Sequence, residues 1–226
     1  AVELGLDIVG GVPHLEAEPR DCLEWLMQLA SDRGLPLDLH TDENLDLDSL
    51  DLETLADAVL SSGFAPGVVA SHCVSLGMQS AAVQQRVAEK VAAAGIGVIV
   101  LPQTNLFLQA RGITTAPPRG LTAVAALMAA GVDVAAGADN LQDPFCLVGR
   151  ADPFETAALM VMTAHLTPER SYEAVSSSAR RAMGLSPTDD LLGVKASTLR
   201  EAIASAPADR VVVRDGTVLV APDQER

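Results

Sequence analysis

The sequence predicts an α/β fold: successive βα units with parallel strands, five of the eight units of a (β/α)8 TIM barrel, followed by part of a small β domain. Three observations carry this. From residue 4 to about 184, short apolar runs give way in turn to a polar or Gly/Pro turn and an amphipathic helical stretch, the pattern of parallel strands joined by helices. Polar residues follow the strand ends at near-constant intervals: His14, His40, His72, Asn105 and Asp139 stand 26, 32, 33 and 34 residues apart, one βα unit each. Lastly, an open doubly wound sheet that binds nucleotides carries a glycine-rich phosphate loop after its first strand, and neither G-x-G-x-x-G nor G-x-x-x-x-G-K-[ST] occurs.

The strands are read at residues 5–12, 35–40, 67–71, 95–101 and 132–137. The helices between them fall at 19–33, 50–62, 80–94 and 121–130, and two more follow at 153–165 and 168–184. Cys22, Leu23, Leu26, Met27, Leu29 and Ala30 form an apolar helical stripe that stops at Arg33-Gly34. Ala94-Gly95, Ala130-Gly131 and Met183-Gly184 likewise place a glycine where a helix end wants positive φ. His165 is expected at a helix end, as a partner of its dipole. Beyond Leu185 the pattern changes to a short strand at 190–194, a helix at 197–205, and strands at 211–214 and 217–220 around the hairpin signal Asp215-Gly216. Two domains are therefore expected: 1–184, the barrel portion, and 185–226, part of a small β domain, with a frayed tail at 222–226. Ala1 lies almost inside an apolar strand and a full barrel needs further units, so the chain is expected to be the C-terminal part of a longer one.

Composition limits the function. Of 226 residues 49% are hydrophobic and 20% charged, which excludes global disorder. Thirty acidic against fifteen basic residues give a net charge of −15; nucleic acid and anionic membrane are poor partners for such a surface. The longest uncharged apolar stretch, 91–101, is far shorter than the ~20 residues that span a bilayer. Cys22, Cys73 and Cys146 form no C-x-x-C pair, which argues against a disulfide framework and for a reducing, cytoplasmic setting.

Parallel strands point one way, so their C-terminal ends share a face, and residues distant in sequence converge there. His40 closes the run Leu37-Asp38-Leu39 and is followed by Thr41, Asp42 and Glu43. A neutral imidazole is a ligand for zinc or iron, and a nearby carboxylate can move protons. The plainer alternative is a histidine that caps backbone, with Glu43 solvated among Asp42, Asp46 and Asp48. His72 ends the next strand. Asp139 follows a run with almost no polarity, where a carboxylate needs a cation, a metal or hydrogen-bond donors; alternatively it caps the next segment. Together the three favour a metal-hydrolase face over coincidence.

The stretches L-D-L-H-T-D-E (37–43), A-S-H (70–72) and G-A-D-N-x-x-D-P-F (137–145) resemble the amidohydrolase superfamily, in its cytosine deaminase-like branch. V-G-G-V-P-H-L-E (9–16) and N-L-F-L-Q-A-R (105–111) resemble that branch too, in the same order. The resemblance implies strands four to eight of the barrel and one divalent metal ion, iron or zinc, at its C-terminal face. His40 would be the ligand from the fifth strand and Asp139 the ligand from the eighth, which also serves as base. His72 would polarise the attacking water, and Glu43 would deliver a proton to the substrate's ring nitrogen. The implied reaction is hydrolytic deamination of a small, cytosine-like heterocycle with release of ammonia, in a homo-oligomer. His14, Asn140 and Phe145 would face the substrate.

No lysine lies in 7–12, and Lys90 and Lys195 are elsewhere, so the carboxylated lysine of binuclear members has no counterpart and the site reads as mononuclear. The family's His-x-His pair is also missing, since none of His14, His40, His72 and His165 stand two apart. The branch carries two successive aspartates and a Trp where this chain has Asp139-Asn140 and Phe145, which leaves creatinine-like, isocytosine-like and aminotriazine rings open. The H-x-E and P-C-x-x-C signature of the unrelated zinc deaminases is absent. A non-catalytic partial barrel that binds a ligand or partner is the competing reading.

Overall fold

A computed structural model describes residues 5–220. Five strands, β1 (Val9–Gly11), β2 (Leu37–Thr41), β3 (Val68–His72), β4 (Gly97–Val100) and β5 (Val134–Ala136), pair in sequence order. Every pairing is parallel, with His40 beside Ser71, Ser71 beside Ile99 and Ile99 beside Ala135. Successive side chains alternate between the two faces of a strand. Leu37, Leu39, Val68, Ala70, Val98, Val100, Val134 and Ala136 accordingly share one buried face. Asp38, His40, Val69, Ser71 and Ile99 share the other.

Helices cover the first face. α1 (Pro19–Arg33) buries Leu23, Leu26, Met27 and Ala30, α2 (Asp51–Ser62) Leu52, Leu55, Ala56 and Val59. Two short helices precede the next long one and follow the next strand: α3 (Val74–Met78) comes before α4 (Ala81–Ala93), and α5 (Pro102–Leu108) follows β4. α4 adds Val87, Ala88 and Val91, and α6 (Val124–Ala129) adds Val124 and Leu127, so that one core joins the helices to the sheet. α7 (Pro153–Thr163), α8 (Pro168–Val175) and α9 (Ser177–Ala182) follow β5. Burial of such a core is the main favourable term in folding.

Several expectations shift. The strand read at 5–12 shrinks to β1, because β1 and β5 are the sheet's outer strands and each pairs on one side only. The helix read at 121–130 reduces to α6. The helix at 168–184 breaks into α8 and α9 at Ser176 (φ −128°, ψ −92°), whose hydroxyl bonds back to the Tyr172 carbonyl at 2.5 Å. His165 does not cap a helix: α7 stops at Thr163, and His165, at φ 56°, places Nε2 2.6 Å from Arg119 Nη1. It is that arginine which donates to the Thr163 carbonyl, at 3.0 Å.

The C-terminal strands β6 (Leu191–Val194), β7 (Arg210–Arg214) and β8 (Thr217–Val220) form an antiparallel sheet in that order. Positive φ at both Asp215 and Gly216 makes the predicted hairpin turn. α10 (Leu199–Ser205) packs Ala202 and Ile203 against Phe154 and Ala157 of α7. The tail at 222–226 lies outside the described residues. Among the described residues no helix is long and apolar enough to cross a membrane.

Candidate functional site

Three of the five parallel strands lead into left-handed residues at their C-terminal ends. Asp42 (φ 51°) follows β2, His72 and Cys73 (φ 69° and 49°) end β3, and Asp139 (φ 66°) follows β5. Non-glycine residues adopt this conformation rarely and mostly where surrounding contacts impose it. Here those contacts are visible. Asp42 is fully buried; its Oδ1 accepts the Asp51 N–H (2.9 Å) and the Ser49 hydroxyl (2.8 Å), and its Oδ2 accepts the Leu52 N–H (2.9 Å). One carboxylate thus serves the start of α2. Its carbonyl accepts the N–H groups of Val74 and Ser75, at the start of α3, at 2.9 and 3.3 Å.

This clamp holds the next residue, Glu43, over the sheet. From the other side Gln109 Nε2 donates to the Glu43 carbonyl at 3.1 Å. Gly120 (φ 66°) lies against Gln109, where a Cβ would come within 2.7 Å of Gln109 Cβ. Leu121 is pressed on Gly77 so closely that any side chain there would overlap the Leu121 carbonyl oxygen.

Four of the predicted side chains converge. His72 Nε2 lies 3.0 Å from His40 Nδ1 and 3.8 Å from Asp139 Oδ2. His72 Nδ1 lies 2.9 Å from Asn105 Oδ1 and 3.5 Å from Glu43 Oε1. The His72 side chain is fully buried, while those of Glu43 and Asp139 are 19% and 20% exposed. His40, Glu43 and His72 each offer a ligand atom within 4.8 Å of the others.

Burial, and then the Asp139 charge, push the Glu43 carboxyl up to about 7. Burial pulls His72 down to about 4, against the Asn105 bond and Asp139 and with help from His40 and His14. His72 is therefore neutral near pH 7, whereas Glu43 still holds its proton for part of the time. Burial also raises Asp38, two residues before His40 on the same face, with Oδ1 3.5 Å from the Ser71 hydroxyl.

The remaining predicted residues stand further back. His14, on the 3-10 turn Pro13–Leu15, donates from Nδ1 to the His40 carbonyl at 3.2 Å. Asn140 turns its amide to Thr104, whose hydroxyl meets Oδ1 at 3.1 Å, and to Asp143, which accepts from Nδ2 at 2.7 Å. Phe145 is 56% exposed, with its N–H on Asp143 Oδ1. Sequence reasoning passed over Asp42 and Gln109, and assigned no role to Asn105 although the strand-end spacing picked it out. Period-two alternation would have found Asp38.

The sequence profile described as "Amidohydrolase family" matches residues 1–192. Pterin deaminase of Rhizobium rhizogenes is 34% identical in an alignment 223 positions long that covers 94% of this chain and 51% of that protein. The chain thus spans about half the length of that curated relative. The structure of 5-methylcytosine deaminase from Klebsiella pneumoniae liganded with 5-fluorocytosine superposes with a TM-score of 0.90 at 28% identity, covering 100% of this chain and 58% of that one. N-isopropylammelide isopropylaminohydrolase from Burkholderia multivorans gives 0.82 at 27%, covering 98% and 57%.

Proposed function

The chain belongs to the amidohydrolase family, and from that premise we propose that it carries the catalytic face of a hydrolytic deaminase for a small nitrogen heterocycle. The observation that carries the reading is the convergence of His40, Glu43, His72 and Asp139 from three separate strand ends. Three similar proteins, named for pterin, 5-methylcytosine and N-isopropylammelide, support a ring amidine as the substrate class. In this reading 1–184 carries the chemistry, and 185–226 is part of a small β domain.

The donor set suits a divalent ion. His40, Glu43 and His72 offer donor atoms within 4.8 Å of one another, and Asp139 Oδ2 lies 3.8 Å from His72 Nε2; imidazole and carboxylate are ligands that zinc and iron accept. His40 and Asp139 would hold the ion. When bound it supplies Lewis acidity, which makes water at the site easier to deprotonate.

The chain's own residues do the rest. Asp139 accepts the proton that water loses as it adds to the amidine carbon. Glu43 delivers a proton to the ring nitrogen, which makes that carbon electrophilic; its raised affinity for protons suits a donor working near neutral pH. His72, neutral and buried between His40 and Asp139, polarises and orients the water by fixing those two groups around it. Asp139 passes its proton to the amino group, the C–N bond breaks and ammonia leaves, and the hydroxyl returns a proton to Glu43 as it becomes the ring carbonyl. His14 supports His40 through its carbonyl, while Asn140 and Phe145 belong to the loop that would border the ring.

Ammonia release by the full-length gene product, loaded with zinc or iron, tests this against pterin, cytosine, 5-methylcytosine and aminotriazines. Release from at least one of them, lowered about 100-fold in Glu43→Gln, is expected. No release from any ring by metal-replete protein would overturn the reading and leave a binding role.

A further inference from the structure

His72 has no solvent to satisfy its ring, so its neighbours decide which nitrogen carries the proton. A neutral imidazole has one N–H and one lone pair. Two oxygens lie on the Nδ1 side, Asn105 Oδ1 at 2.9 Å and Glu43 Oε1 at 3.5 Å. An amide oxygen can only accept, so Nδ1 carries the hydrogen and Nε2 the lone pair. The atom 3.0 Å from Nε2 is His40 Nδ1, which must then donate. One amide thereby determines both rings.

We propose that Asn105 is a positioning residue that selects the tautomers of His72 and His40, both protonated on Nδ1, so that the lone pair left on His40 Nε2 is its donor to a cation.

The setting supports a dedicated role. Asn105 is fully buried, and among the described residues its Nδ2 has no hydrogen-bond partner. An apolar side chain would leave no such orphan, so the amide is held at a cost in stability. It is also rigidly carried. Pro102 opens α5, and three consecutive residues then reach three elements: Gln103 donates to Thr156 of α7 at 2.7 Å, Thr104 meets Asn140 after β5, and Asn105 meets His72 of β3. Partners behind a metal-ligating histidine fix its tautomer and ring orientation in the same way.

The catalytic consequence rests on the deaminase reading above, whereas the tautomers do not, and the test separates them. Long-range proton–nitrogen correlation spectra of the full-length protein, labelled with nitrogen-15 histidine and freed of metal, distinguish the tautomers directly. Nδ1–H signals are expected for His72 and His40. In Asn105→Leu, His72 should lose that preference, while Asn105→Asp, which still offers an acceptor oxygen, should keep it. With metal restored, kcat of Asn105→Leu should fall about 10- to 100-fold with KM little changed, and Asn105→Asp should recover part of the loss. An Nε2–H signal for His72 in the unmutated protein overturns the inference, as does a folded Asn105→Leu with unchanged tautomers. If Asn105→Leu does not fold, the unmutated spectrum and Asn105→Asp decide. Tautomers that follow Asn105 in a protein that deaminates nothing would sink the deaminase reading alone.

Discussion

Asp152 and Arg210, 58 residues apart in sequence, tie the start of α7 to the C-terminal antiparallel sheet. The guanidinium bonds both carboxylate oxygens, at 3.1 and 2.7 Å, and lies 5.1 Å over the Phe154 ring. The same carboxylate caps α7 by accepting the Phe154 N–H at 3.0 Å. Burial alone would raise Asp152, but Arg210 and that N–H outweigh it and hold the carboxyl below its ordinary value. The pair's contribution is therefore complete above the ordinary aspartate range, near pH 4, and disappears as pH falls through the lower folded value. Arg210→Ala should cost about 1 kcal/mol at pH 7 and less at pH 3. Melting temperatures at the two pH values check this, and an equal loss at both would refute it.

Glu43→Gln should separate catalysis from stability. The raised carboxyl means that the folded protein keeps a proton that the unfolded chain releases, so ionisation of Glu43 costs stability as pH climbs from about 4.5 to about 7. The neutral amide escapes that cost. In metal-free protein the variant should melt higher than the parent at pH 8, and the gap should close at pH 4. Turnover should drop by about 100-fold.

His40→Ala and Asp139→Ala should each reduce the metal content of the full-length protein, measured by elemental analysis after dialysis. Added zinc should raise the melting temperature of the parent and raise it less in either variant, since an ion stabilises only the state that binds it. Full occupancy in both variants would remove the two residues from the ligand set.

Asp42→Ala should be among the more damaging single changes on this face. It strands the N–H groups of Asp51 and Leu52 at the head of α2 and the Ser49 hydroxyl, and caps of this kind contribute about 1–2 kcal/mol. Asp42→Asn keeps one acceptor oxygen and tolerates the left-handed backbone, so it should lose less. Urea unfolding measures both.

Much of this was legible in the sequence, for identifiable reasons. β2 and β3 fall within two residues of their expected limits, because each is paired on both sides and carries a short apolar run, alternating in β2 and continuous at the start of β3. α3 and α5 were not foreseen. Five and seven residues are too few to show a helical period, and α3 depends on bonds from the Asp42 carbonyl, far back in the chain. His40, His72 and Asp139 were visible as polar residues closing apolar runs. Asp42 was not, since D-E-N-L-D-L-D reads as a solvated acidic loop, and only the folded α2 brings donors to it. The Asn105–His72 contact spans 33 residues, a distance over which spacing can raise suspicion but assign no role.

The close contacts at Gly77 and Gly120 have a practical corollary. Residues 111–117 are all exposed, and the chain is gripped just before them at Gln109 and just after them at Gly120 and Leu121. Strain or slack introduced between those anchors stops there instead of travelling to Glu43. This is where the polypeptide can best be nicked by a protease, spliced to a fluorescent reporter or lengthened in evolution with the catalytic face left undisturbed.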